Sequence, residues 1–230
     1  MYLDLPKDKN VLLQILKDIY SDAVLGPILG FKGGTAAYLF YGLGRFSVDL
    51  DFDLLDEDKV DIVHDKIKEI LKGHGVVKES FKKKNTIFFL LSYGEKSRNI
   101  KVEVNLRSFG SQYEVKSYLG IFMKVMVRED MFAHKLVAMK ERLGKTNRDI
   151  YDVWFFLKNN WPINKTIIEK RSQLPFRAFL EDCSGSLEKL PNHNILAGVG
   201  DLLDAKQKTW AKENLKNDAI FLLKVRLENE

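Results

Sequence analysis

Hydrophobic residues recur with two different periods along the first part of the chain. Apolar residues at helical spacing predict amphipathic helices over residues 8–22 and 58–71, and glycine stop signals predict the end of a shorter helix over residues 35–41. Alternation of polar and apolar residues predicts a half-buried strand over residues 47–54, and a brief apolar stretch predicts another over residues 28–32. Helices and strands therefore alternate in this part of the chain.

Three further segments with strand patterns follow, over residues 76–81, 86–91 and 100–106. Turn residues separate them, as expected for strands that follow one another in a sheet. With the preceding elements, they predict a small mixed sheet that has helices packed against it.

The pattern changes after about residue 126. Residues 128–143 and 147–159 are strongly helical, and most of residues 163–226 has a helix-forming composition. We therefore predict an α+β fold in two domains. A mixed sheet flanked by helices would occupy residues 1–126, and a helical bundle would occupy residues 127–230.

Composition indicates a folded and mildly basic protein. Hydrophobic residues make up 45% of the chain and charged residues 30%, which supports a proper core and excludes a disordered chain. The formal net charge is +5 and the pI is near 9.0, so the composition permits an RNA partner but does not demonstrate one.

Three features predict a cytoplasmic protein without a membrane partner. The N-terminal residues carry charges of both signs, unlike a signal peptide. The apolar runs are too short to span a bilayer. A single cysteine, Cys183, excludes an internal disulfide and fits a reducing compartment.

A glycine turn with the features of a phosphate-binding site lies at the start of the helix predicted over residues 35–41. Gly33, Gly34 and Thr35 follow the predicted strand over residues 28–32 and open the predicted helix. Free backbone N–H groups and the helix dipole both favour an anion at such a helix start. These residues are therefore candidates for contact with phosphate.

Three aspartates, Asp49, Asp51 and Asp53, occupy alternate positions of the next predicted strand and should share one of its faces. A solvent-exposed face is the simplest interpretation, but three bare carboxylates in a row repel one another. A bound divalent cation would remove that repulsion. The spacing lacks the glycine and the distant glutamate of an EF-hand, which favours Mg²⁺ over Ca²⁺.

The sequence KGGTAAYLFYGLGRFSVDLDFD, residues 32–53, resembles motif I of the AbiEii-type abortive-infection nucleotidyltransferases. This family belongs to the polymerase-β-like nucleotidyltransferase superfamily, whose pattern is a diglycine, a helix and an Asp-x-Asp strand. Arg45 and Ser47 match the Arg-x-Ser segment that precedes the aspartates in the AbiEii branch. The gap between the glycines and Asp49 is longer than in many superfamily members, but it suits this branch.

The resemblance implies a role for each matching residue. The turn Gly33, Gly34 and Thr35 would bind the β- and γ-phosphates of a nucleoside triphosphate, and Arg45 and Ser47 would add donors. The pair Asp49 and Asp51 would hold Mg²⁺, or alternatively Mn²⁺, with Asp53 as a possible addition.

A further carboxylate is expected from a neighbouring strand in this fold. Glu103 lies on the polar face of the predicted strand over residues 100–106 and is the candidate by analogy. An ordinary exposed strand explains the same alternation equally well.

A second resemblance lies in the helical half, in AHKLVAMKERLGKTNRDIYDVWFFL, residues 133–157. It is similar to the later AbiEii motifs, a Lys in one helix and an Arg-Asp-x-x-Asp sequence that opens the next. The resemblance implies that Lys135 contacts the triphosphate and that Asp149 has a catalytic or orienting role. Asp152 is a further candidate, and Arg148 could pair with it at a spacing of four. Lysine snorkelling and acidic residues at a helix start are the purely structural alternatives.

Together these features predict a nucleotidyltransferase that moves a nucleoside monophosphate from a nucleoside triphosphate to an acceptor hydroxyl. The resemblance further implies the toxin of a type IV toxin–antitoxin pair, with a cognate antitoxin and with the 3′ end of tRNA as an acceptor in related toxins. Two alternatives stay open. One is a non-catalytic module that binds RNA or a partner protein on the same fold, and the other is transfer to a small molecule.

Overall fold

The computed structural model describes residues 5–94 and 99–230, and two compact units divide them. The first unit extends to Gly42 and includes Phe46–Ser108 and Gln112–Met126. The second unit contains Val127–Glu230. It also takes in two short segments from the first half of the chain, Leu43–Arg45 and Phe109–Ser111, which the sequence pattern did not indicate.

A mixed β-sheet forms the centre of the first unit. Within the described residues it has seven strands, in the order β3-β4-β5-β2-β1-β7-β6. The strands are β1 (Leu29–Lys32), β2 (Leu50–Leu54), β3 (Val76–Lys83), β4 (Thr86–Ser92), β5 (Ile100–Asn105), β6 (Tyr113–Tyr118) and β7 (Ile121–Met126). Strand β1 pairs antiparallel with β2 and parallel with β7, and β2 pairs parallel with β5. The predicted α+β fold is thus confirmed.

Four α-helices accompany this sheet in the described part of the first unit. They are α1 (Leu5–Ser21), α2 (Leu25–Ile28), α3 (Gly33–Tyr41) and α4 (Val60–Lys72). Helix α1 contacts α4 and β7, α3 contacts β1 and β2, and α4 contacts β3 and β4. Their apolar faces supply fully buried side chains such as Ile15, Ile19, Val63 and Ile67, as the helical periodicity predicts.

Two predictions for this unit were wrong in detail. The strand predicted over residues 47–54 begins only at Leu50, so Asp49 precedes the regular strand. The prediction also lacked the β6–β7 hairpin, whose strands follow β5. Its turn consists of Leu119 and Gly120, both with positive φ. A leucine is an unusual first residue for such a turn, because Asn and Gly are the residues that favour it.

The described part of the second unit is helical. Its α-helices are α5 (Arg128–Arg142), α6 (Arg148–Lys158), α7 (Lys165–Ser172), α8 (Phe176–Lys189) and α9 (Ala205–Glu228). Each contacts its neighbours in the closed order α5-α6-α9-α8-α7-α5, which makes a compact bundle. Across residues 5–94 and 99–230, no helix combines the length and the apolar character that crossing a membrane requires.

Candidate active site

The diglycine turn lies where strand β1 passes into helix α3. Lys32 is the N-cap of α3, in extended conformation, and its own side chain makes no capping hydrogen bond to the helix. Gly33 is the first helical residue and has a φ of 80°, a left-handed conformation that suits glycine. The amide groups at the start of α3 therefore meet the requirements of an anion site.

Asp51 lies against this turn. Strand β1 pairs antiparallel with β2 so that Lys32 is opposite Asp51. A Cβ atom built on Gly33 would come within 2.2 Å of Asp51 Oδ2 and within 2.9 Å of its Cγ. The carboxylate thus occupies the space that any side chain at position 33 would need, and the structure brings these two predicted residues together.

Asp49 is connected to the same helix through its backbone. The hydroxyl of Thr35 donates a hydrogen bond to the Asp49 carbonyl oxygen. Thr35 is 1% exposed and Asp49 is 9% exposed. The predicted hydroxyl contact of Thr35 with phosphate stays a prediction, whereas the observed bond fixes α3 to the aspartate segment. Ser47, also buried, lies just before this segment.

Glu103 is the neighbour of Asp51 on the other side of β2. The parallel pairing of β2 with β5 sets Asp51 directly beside Glu103, so both side chains point to the same face of the sheet. Glu103 is exposed and accepts a hydrogen bond of 3.2 Å from the Thr86 hydroxyl. Its register therefore agrees with a role beside Asp51, which the sequence pattern alone could not decide.

The carboxylates suit Mg²⁺ only if the substrate completes the coordination. Within the described residues, no group of three or more His, Cys, Asp or Glu side chains is arranged to hold a metal ion. Mg²⁺ in nucleotide sites is usually bound through one or two carboxylates together with substrate phosphates and water. Asp51 against the start of α3 fits that donor set, with Glu103 beside it.

Asp53 has a different environment from the other two aspartates. Its Oδ1 accepts hydrogen bonds from Lys32 Nζ at 2.5 Å and from Asn105 Nδ2 at 2.6 Å, and its Oδ2 accepts one from the Tyr113 hydroxyl. The Tyr113 ring crosses Gly30, where a Cβ atom would come within 2.3 Å of it. The idea of three bare carboxylates that repel one another is therefore wrong for Asp53, because Lys32 balances its charge.

The second unit holds a cluster of charged residues around Asp152. Arg45 binds Asp152 through two hydrogen bonds, from Nε to Oδ1 at 2.5 Å and from one terminal nitrogen to Oδ2 at 2.6 Å. Arg45 is 1% exposed and Asp152 is 0% exposed. A buried, bidentate arginine–carboxylate pair of this kind is among the stronger polar contacts in proteins. The structure therefore places Arg45 with Asp152, in a different unit from the diglycine turn.

Lys135 joins the two aspartates of the predicted Arg-Asp-x-x-Asp motif. Its Nζ lies 3.0 Å from Asp149 Oδ1 and 2.7 Å from Asp152 Oδ2. Arg142 approaches Asp149 Oδ2 to 2.8 Å, as an ion pair without hydrogen-bond geometry. Arg142 was not among the predicted site residues, although its spacing of seven from Lys135 places both on one face of α5.

Asp152 is ionised despite its burial. Burial disfavours the charged carboxylate and acts to raise its pKa, but the positive charges of Arg45 and Lys135 outweigh this and lower the pKa to about 2. The pairing of Arg148 with Asp152 stays a prediction. The observed partners of Asp152 come instead from the segment Leu43–Arg45 and from helix α5.

The chain matches a known protein family, and its fold is similar to that of solved structures. Residues 14–212 match the family described as the nucleotidyl transferase AbiEii toxin of type IV toxin–antitoxin systems. The fold is similar to that of a proposed nucleotidyltransferase from H. pylori, with a TM-score of 0.64 and 21% identity over 100% of this chain and 98% of that chain. It is also similar to JHP933 from Helicobacter pylori, with a TM-score of 0.64 and 21% identity over 100% of this chain and 96% of that chain. No curated protein matches the sequence.

Proposed function

Because the chain belongs to the AbiEii family of nucleotidyl transferase toxins of type IV toxin–antitoxin systems, we propose that it transfers a nucleoside monophosphate from a nucleoside triphosphate to an acceptor hydroxyl in a Mg²⁺-dependent reaction. The observation that carries the proposal is the position of the Asp51 carboxylate against Gly33 at the start of α3. A phosphate-binding turn and a metal-binding side chain are thereby adjacent.

The turn at the start of α3 binds the triphosphate in this proposal. Backbone N–H groups of Gly33, Gly34 and Thr35 donate to phosphate oxygens, and the helix dipole favours the negative charge. Gly33 lets the backbone take its left-handed conformation with the carboxylate of Asp51 directly beside it. Ser47 is the proposed additional donor.

The metal ligands in the proposal are Asp49 and Asp51, with Glu103 beside them. When bound there, Mg²⁺ or Mn²⁺ supplies positive charge that offsets charge on the phosphates during transfer. The acceptor oxygen forms a bond to the α-phosphorus while the bond from that phosphorus to the bridging oxygen breaks. Pyrophosphate leaves with the bonding electrons, and the proton of the acceptor hydroxyl passes to water.

Lys135 is proposed to offset charge on the leaving pyrophosphate. Its ammonium group is oriented by two buried carboxylates, those of Asp149 and Asp152. Asp149 and Asp152 are thus proposed as positioning residues, and Arg45 holds Asp152 in place. This differs from the direct contact of Arg45 with nucleotide that the sequence implied.

The acceptor in this proposal is the 3′ end of an RNA, with tRNA as the first to test. Membership of a toxin–antitoxin family supports a cognate antitoxin as a further partner. The basic net charge of +5 supports RNA over a small uncharged acceptor.

The decisive experiment compares Asp51→Asn with wild type in the transfer of each labelled nucleoside triphosphate to total RNA. Asp51→Asn should reduce the transfer rate by about a hundredfold or more, since it removes a charged ligand and keeps the shape. The matched control is Asp61→Asn, an exposed aspartate of α4 whose side chain is 85% exposed, which should leave the rate unchanged. Undiminished transfer by Asp51→Asn would refute the proposal.

A thermal shift separates the proposal from a non-catalytic binding module. Nucleoside triphosphate should raise the Tm of wild type only when Mg²⁺ is present, since a ligand stabilises the folded state to which it binds. A module that binds only RNA or protein would show no such shift.

A further inference from the structure

A row of directly paired residues crosses one face of the sheet. Lys32 pairs with Asp51, and Asp51 pairs with Glu103. Glu103 pairs with Phe88, and Phe88 pairs with Phe81. Residues that are directly opposite in neighbouring strands point to the same face. Two phenylalanines therefore share the face that carries the carboxylates.

These two phenylalanines form a stacked pair outside the core. The ring centroids of Phe81 and Phe88 are 4.9 Å apart and the planes differ by 18°. Both rings remain partly exposed, whereas Ile87 and Phe89, on the opposite face of β4, are fully buried. Lys83 Nζ lies 4.7 Å from the centroid of the Phe81 ring. The pair is thus an accessible aromatic surface with a cation at its edge.

Positive charge is concentrated at one end of this surface. Lys83 and Lys84 are exposed at the β3–β4 turn. On the side of the phenylalanines away from this turn, the next row of paired residues is Glu79, Leu90 and Lys101. An acidic and an apolar residue therefore lie beside the rings there, and the lysine is one strand further away. Many proteins bind single-stranded nucleic acid through aromatic rings next to positively charged side chains, since bases stack on the rings and the cations contact phosphates.

We propose that Phe81, Phe88 and Lys83 bind the single-stranded end of the nucleic acid whose terminal hydroxyl is the acceptor, an inference that rests on the proposed function. Along the row, the carboxylates lie between the diglycine turn and the aromatic pair. In-line transfer requires the attacking hydroxyl and the leaving pyrophosphate on opposite sides of the α-phosphorus. When the triphosphate is held at the diglycine turn, the acceptor therefore approaches the α-phosphorus from the side of the aromatic pair.

The separation agrees with this arrangement. Phe88 lies two strands from Asp51, which corresponds to roughly 10 Å at the usual spacing between strands. A base stacked on Phe88 would thus belong to a nucleotide near the reacting end, and its 3′-terminal neighbour could reach the carboxylates.

Binding of a fluorescein-labelled single-stranded oligoribonucleotide, measured by anisotropy without nucleoside triphosphate, tests the proposal. The double variant Phe81→Leu/Phe88→Leu should raise the Kd by about fivefold to a hundredfold, the range expected for loss of base stacking. Leucine keeps the apolar volume, and an unchanged Tm would show that the sheet is intact. The matched control is Phe122→Leu, a phenylalanine of β7 that is 68% exposed, which should leave the Kd unchanged.

Lys83 is tested by the salt dependence of the same Kd. Lys83→Gln should reduce the slope of log Kd against log salt by about 0.7, as expected for loss of one phosphate contact on a single strand. Lys212→Gln, an exposed lysine of α9, should leave the slope unchanged.

Three results would overturn the inference. They are an unchanged Kd for the double variant, equal affinity for a duplex and a single strand, or a rise in the KM of the nucleoside triphosphate with no rise in the KM of the acceptor. An inactive wild-type protein would refute the proposed function instead. The binding measurement distinguishes the two failures because it needs no nucleoside triphosphate.

Discussion

Gly33 is constrained in two independent ways. Its φ of 80° lies in the left-handed region, which costs an L-residue about 1–2 kcal/mol. A Cβ atom would also overlap with the Asp51 carboxylate. The first constraint affects only stability, whereas the second displaces a proposed metal ligand.

A comparison of two glycines separates these effects. Gly42→Ala should lower the free energy of unfolding by about 1–2 kcal/mol, since Gly42 also has a positive φ, of 71°. Gly33→Ala should lower it by at least as much, because its Cβ also overlaps with Asp51. Only Gly33→Ala should abolish the Mg²⁺-dependent rise in Tm with nucleoside triphosphate, because no atom of residues 5–94 or 99–230 lies within 4 Å of a Cβ at position 42. An equal Tm rise in both variants would contradict the assigned role of Gly33.

Individual residues also show what the sequence could predict. The sequence motif predicted that Gly33 and Asp51 serve one site, but their adjacency depends on the antiparallel pairing of β1 with β2. The partners of Asp53 could not be predicted, because Lys32, Asn105 and Tyr113 lie 21, 52 and 60 residues away in sequence. Only the register of the sheet brings them together.

At the scale of elements, long periodic segments were predictable and special turns were not. Helices α1 and α4 and strand β5 follow from repeated apolar spacing over many residues. The β6–β7 hairpin depends instead on two turn residues with positive φ, and Leu119 gives no signal for that conformation. The face shared by Phe81 and Glu103 likewise required the pairing of three strands.

The turn of this hairpin provides a prediction on stability. Leu119 has a φ of 50° and is 78% exposed, so it is strained without a packing contribution. Leu119→Asn should raise the free energy of unfolding by about 0.5–1 kcal/mol, since asparagine tolerates the left-handed region. Urea denaturation measures the change, and Leu174→Asn, at a leucine that is 40% exposed, is the control without this gain. A loss of stability in Leu119→Asn would show that the leucine packs.

At the scale of the whole molecule, sequence order was an incomplete guide to the site. The resemblance grouped Arg45 with the diglycine turn because the two lie in one continuous motif. In the structure, Leu43–Arg45 belongs to the second unit and Arg45 binds Asp152, 107 residues further along the chain. Membership of a unit depends on tertiary contacts, which the spacing within a motif does not contain.

The pH dependence of unfolding tests the charge network around Asp152. Its pKa is lowered from 3.8 to about 2 in the folded protein, so its ionisation stabilises the fold above about pH 4, and this stabilisation is lost as the pH falls through 2. The contribution is about 2–3 kcal/mol. The difference in unfolding free energy between wild type and Asp152→Asn should therefore shrink between pH 5 and pH 2. A difference in unfolding free energy that does not change with pH would contradict the lowered pKa of Asp152. Other titrating acids contribute equally to both proteins and cancel in the comparison.

The four-strand contact around Asp53 has a consequence for relatives of this protein. Lys32, Asp53, Asn105 and Tyr113 satisfy one another, with Gly30 kept small beneath the tyrosine ring. None of these contacts needs a nucleotide. We therefore expect these four residues to be retained, or to change together, in homologues that have lost the aspartates equivalent to Asp49 and Asp51. In such homologues, an aspartate at position 53 would indicate common descent and not nucleotide transfer.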